Sequence, residues 1–415
     1  MIPPWLTPVL CWNAIQTLTG LTVTFTASGS RVRPLVAGIT ALLAYTLQRN
    51  IQTYFAATRP SGPLVAMCWV NVLNAFDLLV LSRASLEAQL ASQSAKLEKK
   101  DKTPRVQYPS LLAKLRFALE LPYNYRRINT PWENPRLRTS ASASSPQPQS
   151  QTKSKSTFLL HSLATLLIAG TIIHLLTLNA SDVHLQHALS KLNTSKSVLL
   201  PLRDFDAHNL LIQILFTLSF GLVTRAAIVG GHTAAALVAV ALGDDVVNWP
   251  PIFESLGEAK SLRGFWGKSW HQVLRTPLTS NATFLAFLLS LPPRSVGAHW
   301  LRVIIAFTGS GIIHSLCDIG FGVPLDKTGG LHFYTLQIFG FGVESVVSTV
   351  YKKVKKVYGV GFGENVERVI GYIWVVGFMA WSTPVWINPI IVSLAGDGTR
   401  VMSPWLGLSP GAFAL

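Results

Sequence analysis

A histidine set in the middle of a long apolar run is the first place to look for chemistry. The stretch Ala306-Phe-Thr-Gly-Ser-Gly-Ile-Ile-His-Ser-Leu-Cys317 holds one, His314. An ionisable side chain at membrane depth is costly and marks a functional site by default. Ser310 precedes it by one helical turn and Asp318 follows it by one, so on a helix all three share a face. A neutral imidazole there can take the proton from an alcohol. It can equally be a packing group bonded to a neighbouring carbonyl, and the residue types leave both readings open. Gly309 and Gly311 allow a second helix or a substrate to come close.

A second constellation lies upstream, in Arg263-Gly-Phe-Trp-Gly-Lys-Ser-Trp-His-Gln-Val-Leu-Arg275. On a helix, Arg263, Trp266 and Trp270 would share one face, with His271 beside the second tryptophan. Arg263, Lys268 and Arg275 among aromatic rings suit a phosphorylated, nucleotide-containing donor such as coenzyme A. The same island also fits an interfacial aromatic belt with snorkelling cations. The remaining histidines lie in polar loops or near segment ends, form no metal set, and are read as structural, so no metal site is expected.

The elements that must position these residues are membrane helices. The 415 residues are 49% hydrophobic and only 13% charged, with mean hydropathy +0.37. That is too little charge for a water-soluble surface, where about 25% is usual. Apolar blocks near 6–26, 34–47, 63–81, 157–178, 210–229, 303–317, 331–350 and 369–391 approach the roughly 20 residues that cross a bilayer core. Shorter runs at 233–242 and 283–291 read as half-helices or re-entrant pieces, with a bend at Gly230-Gly231. The expectation is an all-α, polytopic integral membrane protein with about eight or nine crossings. Cys11, Cys68 and Cys317 all sit in apolar runs without metal or disulfide spacing, and are read as reduced packing residues.

Composition divides the chain into an N-terminal helical group (1–85), a basic connection ending in a Ser/Pro/Gln-rich linker (86–156) and a membrane core (157–415). The net charge of +16 is concentrated in the 86–156 connection and at Lys352, Lys353, Lys355 and Lys356. Such juxtamembrane excess marks a cytosolic face drawn to anionic lipid, and no nucleic-acid fold signature accompanies it. The aromatic-basic run from Pro122 to Arg136 suits the headgroup layer. Residues 179–207 form a polar connection with two glycosylation acceptor patterns, at Asn179 and Asn193, and are expected on the lumenal side.

The signature residues resemble a known family, the wax synthase domain, which is related to the membrane-bound O-acyltransferases. The resemblance rests on Asn248-Trp-Pro-Pro-Ile-Phe, on Ser261-Leu-Arg followed by the aromatic pair, Lys268 and Trp270-His-Gln, and on Phe307, Ser310, Gly311 and His314. The Arg126-Arg-Ile-Asn-Thr-Pro-Trp132 stretch looks like an upstream family segment without its glycines, and Glu344 falls where the family often carries a glutamate. The resemblance implies a helical bundle with an internal tunnel and an acyl-CoA donor, acetyl-CoA first, as co-substrate rather than bound cofactor. It implies a hydrophobic alcohol as acceptor, His314 as general base and His271 as its partner. Fungal members of this organisation often acetylate terpenoid or meroterpenoid hydroxyls in secondary metabolism. Plant-type relatives make wax esters. The endoplasmic reticulum is the expected membrane.

Three other classes compete. Arg225, Asp244, Asp245 and Glu344 with the Gly/Pro breaks could line a transport pathway. A prenyltransferase would need paired Asp-rich motifs, of which Asn71-Val-Leu-Asn-Ala-Phe-Asp77 is a partial echo. A serine hydrolase would need a Gly-x-Ser-x-Gly elbow, which is lacking.

Overall fold

A computed structural model describes residues 3–56, 58, 60–98, 109–133, 154–179, 181–190, 192, 207–396 and 400–402. In chain order its elements are α1 (Leu6–Phe25), α2 (Val32–Tyr54), α3 (Ser61–Phe76) running into a π-turn (Asp77–Leu81), α4 (Leu86–Glu98) and α5 (Leu111–Tyr123). Then come α6 (Lys155–Leu175), β1 (Thr177–Asn179), α7 (Val183–Ser190), α8 (Ala207–Ala241), a short turn of helix (Leu262–Gly264) and a second π-turn (Phe265–Ser269). The chain continues through α9 (Arg275–Leu288), α10 (Val296–Gly320), α11 (Gly330–Tyr358), α12 (Glu364–Ser382), α13 (Pro384–Gly396) and β2 (Arg400–Met402). Apart from the antiparallel pair of three-residue strands β1 and β2, the regular structure among the described residues is helical.

Among the described residues, four helices are long and apolar enough to cross a membrane: Ser61–Leu81, Lys155–Leu175, Leu210–Ala241 and Val296–Gly320. A fifth crossing is available if α12 and α13 act as one span, bent by 51°. The bend follows from Pro384, which cannot donate to the helical ladder. Only 11% of the apolar window of α6 is buried, so its leucines are exposed rather than packed in a core. The run 207–241 differs from expectation. It is one continuous 35-residue helix, not a span followed by a half-helix, and Gly230-Gly231 lie within it. In hydrocarbon, breaking backbone hydrogen bonds costs more than the ~1 kcal/mol that a helical glycine costs.

The contacts group the chain into two units that are discontinuous in sequence. The first comprises Met1–Ala56, Pro60–Pro148 and Val273–Gly320, and the second Ala57–Arg59, Gln149–Gln272 and Phe321–Leu415.

In the first unit α1 packs against α2, α3 and α5, while α10 packs against α3 and α9. One apolar core joins Val23, Val36, Ala75, Leu78 and Leu121; another joins Cys11, Ile15, Leu47, Val65 and Cys68. The three cysteines are free and buried. Arg33 is also buried, and its guanidinium donates to the carbonyls of Val23, Thr26 and Ala84. It thereby covers the exposed acceptors at the C-terminal end of α1. Within the aromatic-basic run, Arg127 is fully buried and its Nη2 lies 2.8 Å from Asp77 Oδ2. Ser82 Oγ donates to the other oxygen of Asp77 at 2.8 Å. The carboxylate that echoed a diphosphate-binding motif is therefore engaged within the fold.

In the second unit α6 lies along α8, and α13 packs against α8, α11 and α12. Helix α11 closes at Gly359, whose φ of 65° is the left-handed cap that favours glycine.

Candidate active site

The first unit carries His314 midway along α10. Its Nδ1 lies 2.7 Å from the carbonyl oxygen of Ser310 and 3.5 Å from Ser310 Oγ. A carbonyl only accepts, so Nδ1 carries the proton of the neutral ring and Nε2 carries the lone pair. The i−4 spacing that groups Ser310 with His314 thus fixes the tautomer through the backbone. The imidazole is half-buried, whereas Ser310 and Asp318 are buried, Asp318 completely. At Gly309 the close neighbour is Leu278 of α9: an added Cβ would meet its Cδ2 at 3.2 Å. The glycine beside the histidine turn therefore serves helix–helix approach. Arg275 is the first residue of α9, half-buried, and its carbonyl accepts from Thr279 Oγ1 at 2.7 Å.

The second unit carries the Trp-His block. Ser261 caps the short helical turn, its Oγ accepting from Gly264 N at 2.9 Å. Glu344, projecting from α11, accepts the backbone N–H groups of Leu262 at 2.6 Å and Arg263 at 3.5 Å, and the Trp374 indole N–H at 3.3 Å. An acidic group at the first N–H groups of a helix is where its charge is most useful. Gly264 is required here, since a Cβ would stand 2.0 Å from the Glu258 carbonyl oxygen.

The helix does not run on to place Arg263, Trp266 and Trp270 on one face, as the spacing suggested. The π-turn ends at Ser269 and Trp270 is extended. Gln272, which the sequence showed only as the last residue of the Trp-His-Gln signature, substitutes for the missing ladder: its Nε2 donates to the carbonyls of Trp266 at 3.1 Å and Trp270 at 2.7 Å. The rings still meet. Trp270 stacks on Phe265 with centroids 5.4 Å apart and lies 6.0 Å from Trp266. His271 meets Phe253 edge-on at 5.8 Å. Trp266 Nε1 donates to Gln337 Oε1 at 3.1 Å, and the buried Gln337 in turn donates to Ser382 Oγ at 3.1 Å. A lone buried glutamine in an apolar helix is the signal that could have pointed to Gln337.

Of the basic residues, Arg263 is exposed. Lys268 Nζ pairs with Glu258 Oε2 at 2.8 Å on the surface. The hydrogen bond, and then the charge, of Lys268 hold the Glu258 carboxyl below its usual range, and Glu258 raises Lys268 in the same way. Asn179 is exposed in β1, while Asn193 lies outside the described residues. Among the described residues no group of three or more His, Cys, Asp or Glu side chains could hold a metal ion.

Residues 249–336 match the model of the membrane bound O-acyl transferase family, a stretch that includes both His271 and His314. The chain is similar to the acetyltransferase aurG of Calcarisporium arbuscula, with 25% identity over 384 residues, covering 89% of this chain and 90% of the relative. Shorter similarities join it to the acetyltransferase nanB of Aspergillus nanangensis, 33% identical over 43% of this chain and 44% of the relative. The acetyltransferase spyB of Aspergillus fumigatus is 28% identical over 41% of this chain and 31% of its own length.

Proposed function

We propose that this membrane-bound O-acyltransferase-like enzyme transfers an acetyl group from acetyl-CoA to a hydroxyl of a terpenoid or meroterpenoid alcohol in secondary metabolism. The observation that carries the reading is the His314 Nδ1–H···O=C hydrogen bond to Ser310 at 2.7 Å, which puts the lone pair of the neutral ring on Nε2. In this reading the acceptor hydroxyl loses its proton to Nε2 as its oxygen attacks the thioester carbonyl. The tetrahedral oxyanion then collapses with cleavage of the C–S bond, and the imidazolium returns the proton to the departing thiolate. His271 or neighbouring backbone N–H groups stabilise the oxyanion. Arg263, Lys268 and Arg275 meet the donor phosphates, Trp266 and Trp270 flank the donor, Ser310 and Asp318 support the histidine turn, and Glu344 holds the segment that starts at Leu262.

The acetyl group is supported by the similarity to acetyltransferases. The acceptor class rests on the resemblance of the Trp-His block to the wax synthase domain. We place the enzyme in the endoplasmic reticulum membrane with about eight or nine crossings. Residues 157–415 are taken as the catalytic core, with 86–156 on the cytosolic side.

The test is acyl transfer in membranes carrying the full chain, with radiolabelled acetyl-CoA and chelator, against hydroxylated terpenoids and long-chain alcohols. Acetylated terpenoid is the expected product. Transfer of a long-chain acyl group to a long-chain alcohol instead would establish the wax-ester activity, and absence of transfer to either class would overturn the reading.

A further inference from the structure

Arg225 stands inside the apolar segment Leu210–Ala241. An arginine at that position is costly unless its charge is matched. Among the described residues it forms no ion pair. Its partners are instead two carbonyls and a ring. Nη1 donates to the Ser269 carbonyl at 3.2 Å, Nη2 to the Glu254 carbonyl at 3.4 Å, and the guanidinium carbon sits 4.1 Å from the centre of Phe253.

These three contacts fall on two separate stretches of chain. Phe253 and Glu254 end the Asn248-Trp-Pro-Pro run, and Ser269 is the residue before Trp270. One planar fork therefore ties the two stretches together. The Ser269 hydroxyl adds a second tie by donating to the Ser255 carbonyl at 2.9 Å. The ring under the guanidinium reaches further: Phe253 meets Trp270 edge-on at 5.5 Å and His271 edge-on at 5.8 Å. A lysine ammonium is a point charge and cannot span both carbonyls while lying flat on the ring.

We propose that Arg225 is a positioning residue, which sets where the Trp270-His271 turn stands through Phe253 and the Ser269 carbonyl. The consequence for turnover rests on the acyl-transfer reading, but the placement of the imidazole does not. The two are therefore measured separately.

The full chain, labelled with [13Cε1]histidine and held in detergent micelles, reports the placement by NMR. The His271 signal is identified by its disappearance in His271→Asn. Ring currents from Phe253 and Trp270 displace it from the position of a free imidazole. Arg225→Lys is expected to move this signal towards the free position and Arg225→Leu to move it further, while His174 stays unchanged as a marker of the intact fold. In the acyl-transfer assay both variants lose about tenfold to a hundredfold in kcat, the equivalent of one charge-assisted contact, with donor KM within about twofold. A His271 signal that stays in place in folded Arg225→Lys overturns the proposal. So does a donor KM that rises and becomes salt-sensitive with that signal unmoved, because Arg225 would then bind the donor anion directly. Should Arg225→Leu not fold, Arg225→Lys alone decides. Absence of transfer in the unsubstituted enzyme would count against the acyl-transfer reading, while the NMR shift still decides the placement.

Discussion

Removing the Asp77 carboxylate should leave one of the most expensive groups in the first unit unmatched. Asp77 and Arg127 are separated by 2.8 Å, with side-chain exposures of 1% and 0%. Among the described residues, Arg127 Nε and Nη1 are buried without a hydrogen-bond partner, so the Nη2 contact carries the compensation for the guanidinium there. Burial pulls the Arg127 guanidinium down from its ordinary range and the Asp77 charge pulls it back up. Breaking a buried pair from one side costs about 3–5 kcal/mol, because the remaining charge stays desolvated. At about 2–4 °C per kcal/mol for a unit of this size, Asp77→Ala should lower the thermal midpoint by about 6–20 °C. Asp77→Asn keeps an acceptor for Arg127 and Ser82 and should fall between Asp77→Ala and the native chain. Asp77→Leu combined with Arg127→Leu should cost less than the sum of the two single changes, since both desolvation penalties disappear together. The assay is a thermal ramp with a thiol-reactive fluorophore, because Cys11, Cys68 and Cys317 are free, buried and all within this unit. A midpoint shift below about 3 °C for Asp77→Ala, or strict additivity in the double variant, would refute the reasoning.

Gly264→Ala should lower both thermal midpoint and acyl transfer, at a cost of about 1–3 kcal/mol, because its Cβ would meet the Glu258 carbonyl oxygen 2.0 Å away. An unchanged midpoint would show that the turn can shift at no cost. The Lys268–Glu258 pair is half-exposed and should contribute under about 1 kcal/mol. Because Glu258 is held below its unfolded value, that small contribution should be present above the unfolded carboxylate range and fade as pH falls through the folded value. Midpoints of the native chain and Glu258→Gln should therefore converge in acid. Protease added to sealed microsomes should cut within 86–156 and spare 179–207, and the opposite pattern would invert the topology.

Much of the helical order is legible in the sequence because a membrane segment advertises itself through length and hydropathy. The segments at 63–81, 157–178 and 303–317 correspond to α3 with its π-turn, α6 and α10. Glycine is a weaker signal, and Gly230-Gly231 misled because hydrocarbon penalises a broken ladder more than a flexible residue. The Trp-His block was visible as composition, but its shape was not. Helical periodicity cannot foresee a π-turn after which Trp270 becomes extended and Gln272 takes up the freed carbonyls. The Asp77–Arg127 pair was out of reach for a different reason. The two residues are fifty apart, and each fitted a local story, a motif echo for one and a headgroup cation for the other. For His314, the sequence placed Ser310 one turn away; the geometry adds that the backbone carbonyl rather than the hydroxyl makes the shorter contact.

The most direct test of the central claim is the kcat of purified His314→Asn with both substrates saturating. Asparagine preserves bulk and a hydrogen-bond donor towards the Ser310 carbonyl but has no nitrogen that can take a proton. The account predicts a loss of about 10²–10⁴-fold with a native thermal midpoint. Near-native turnover in the folded variant would contradict it, and would leave His314 a packing residue.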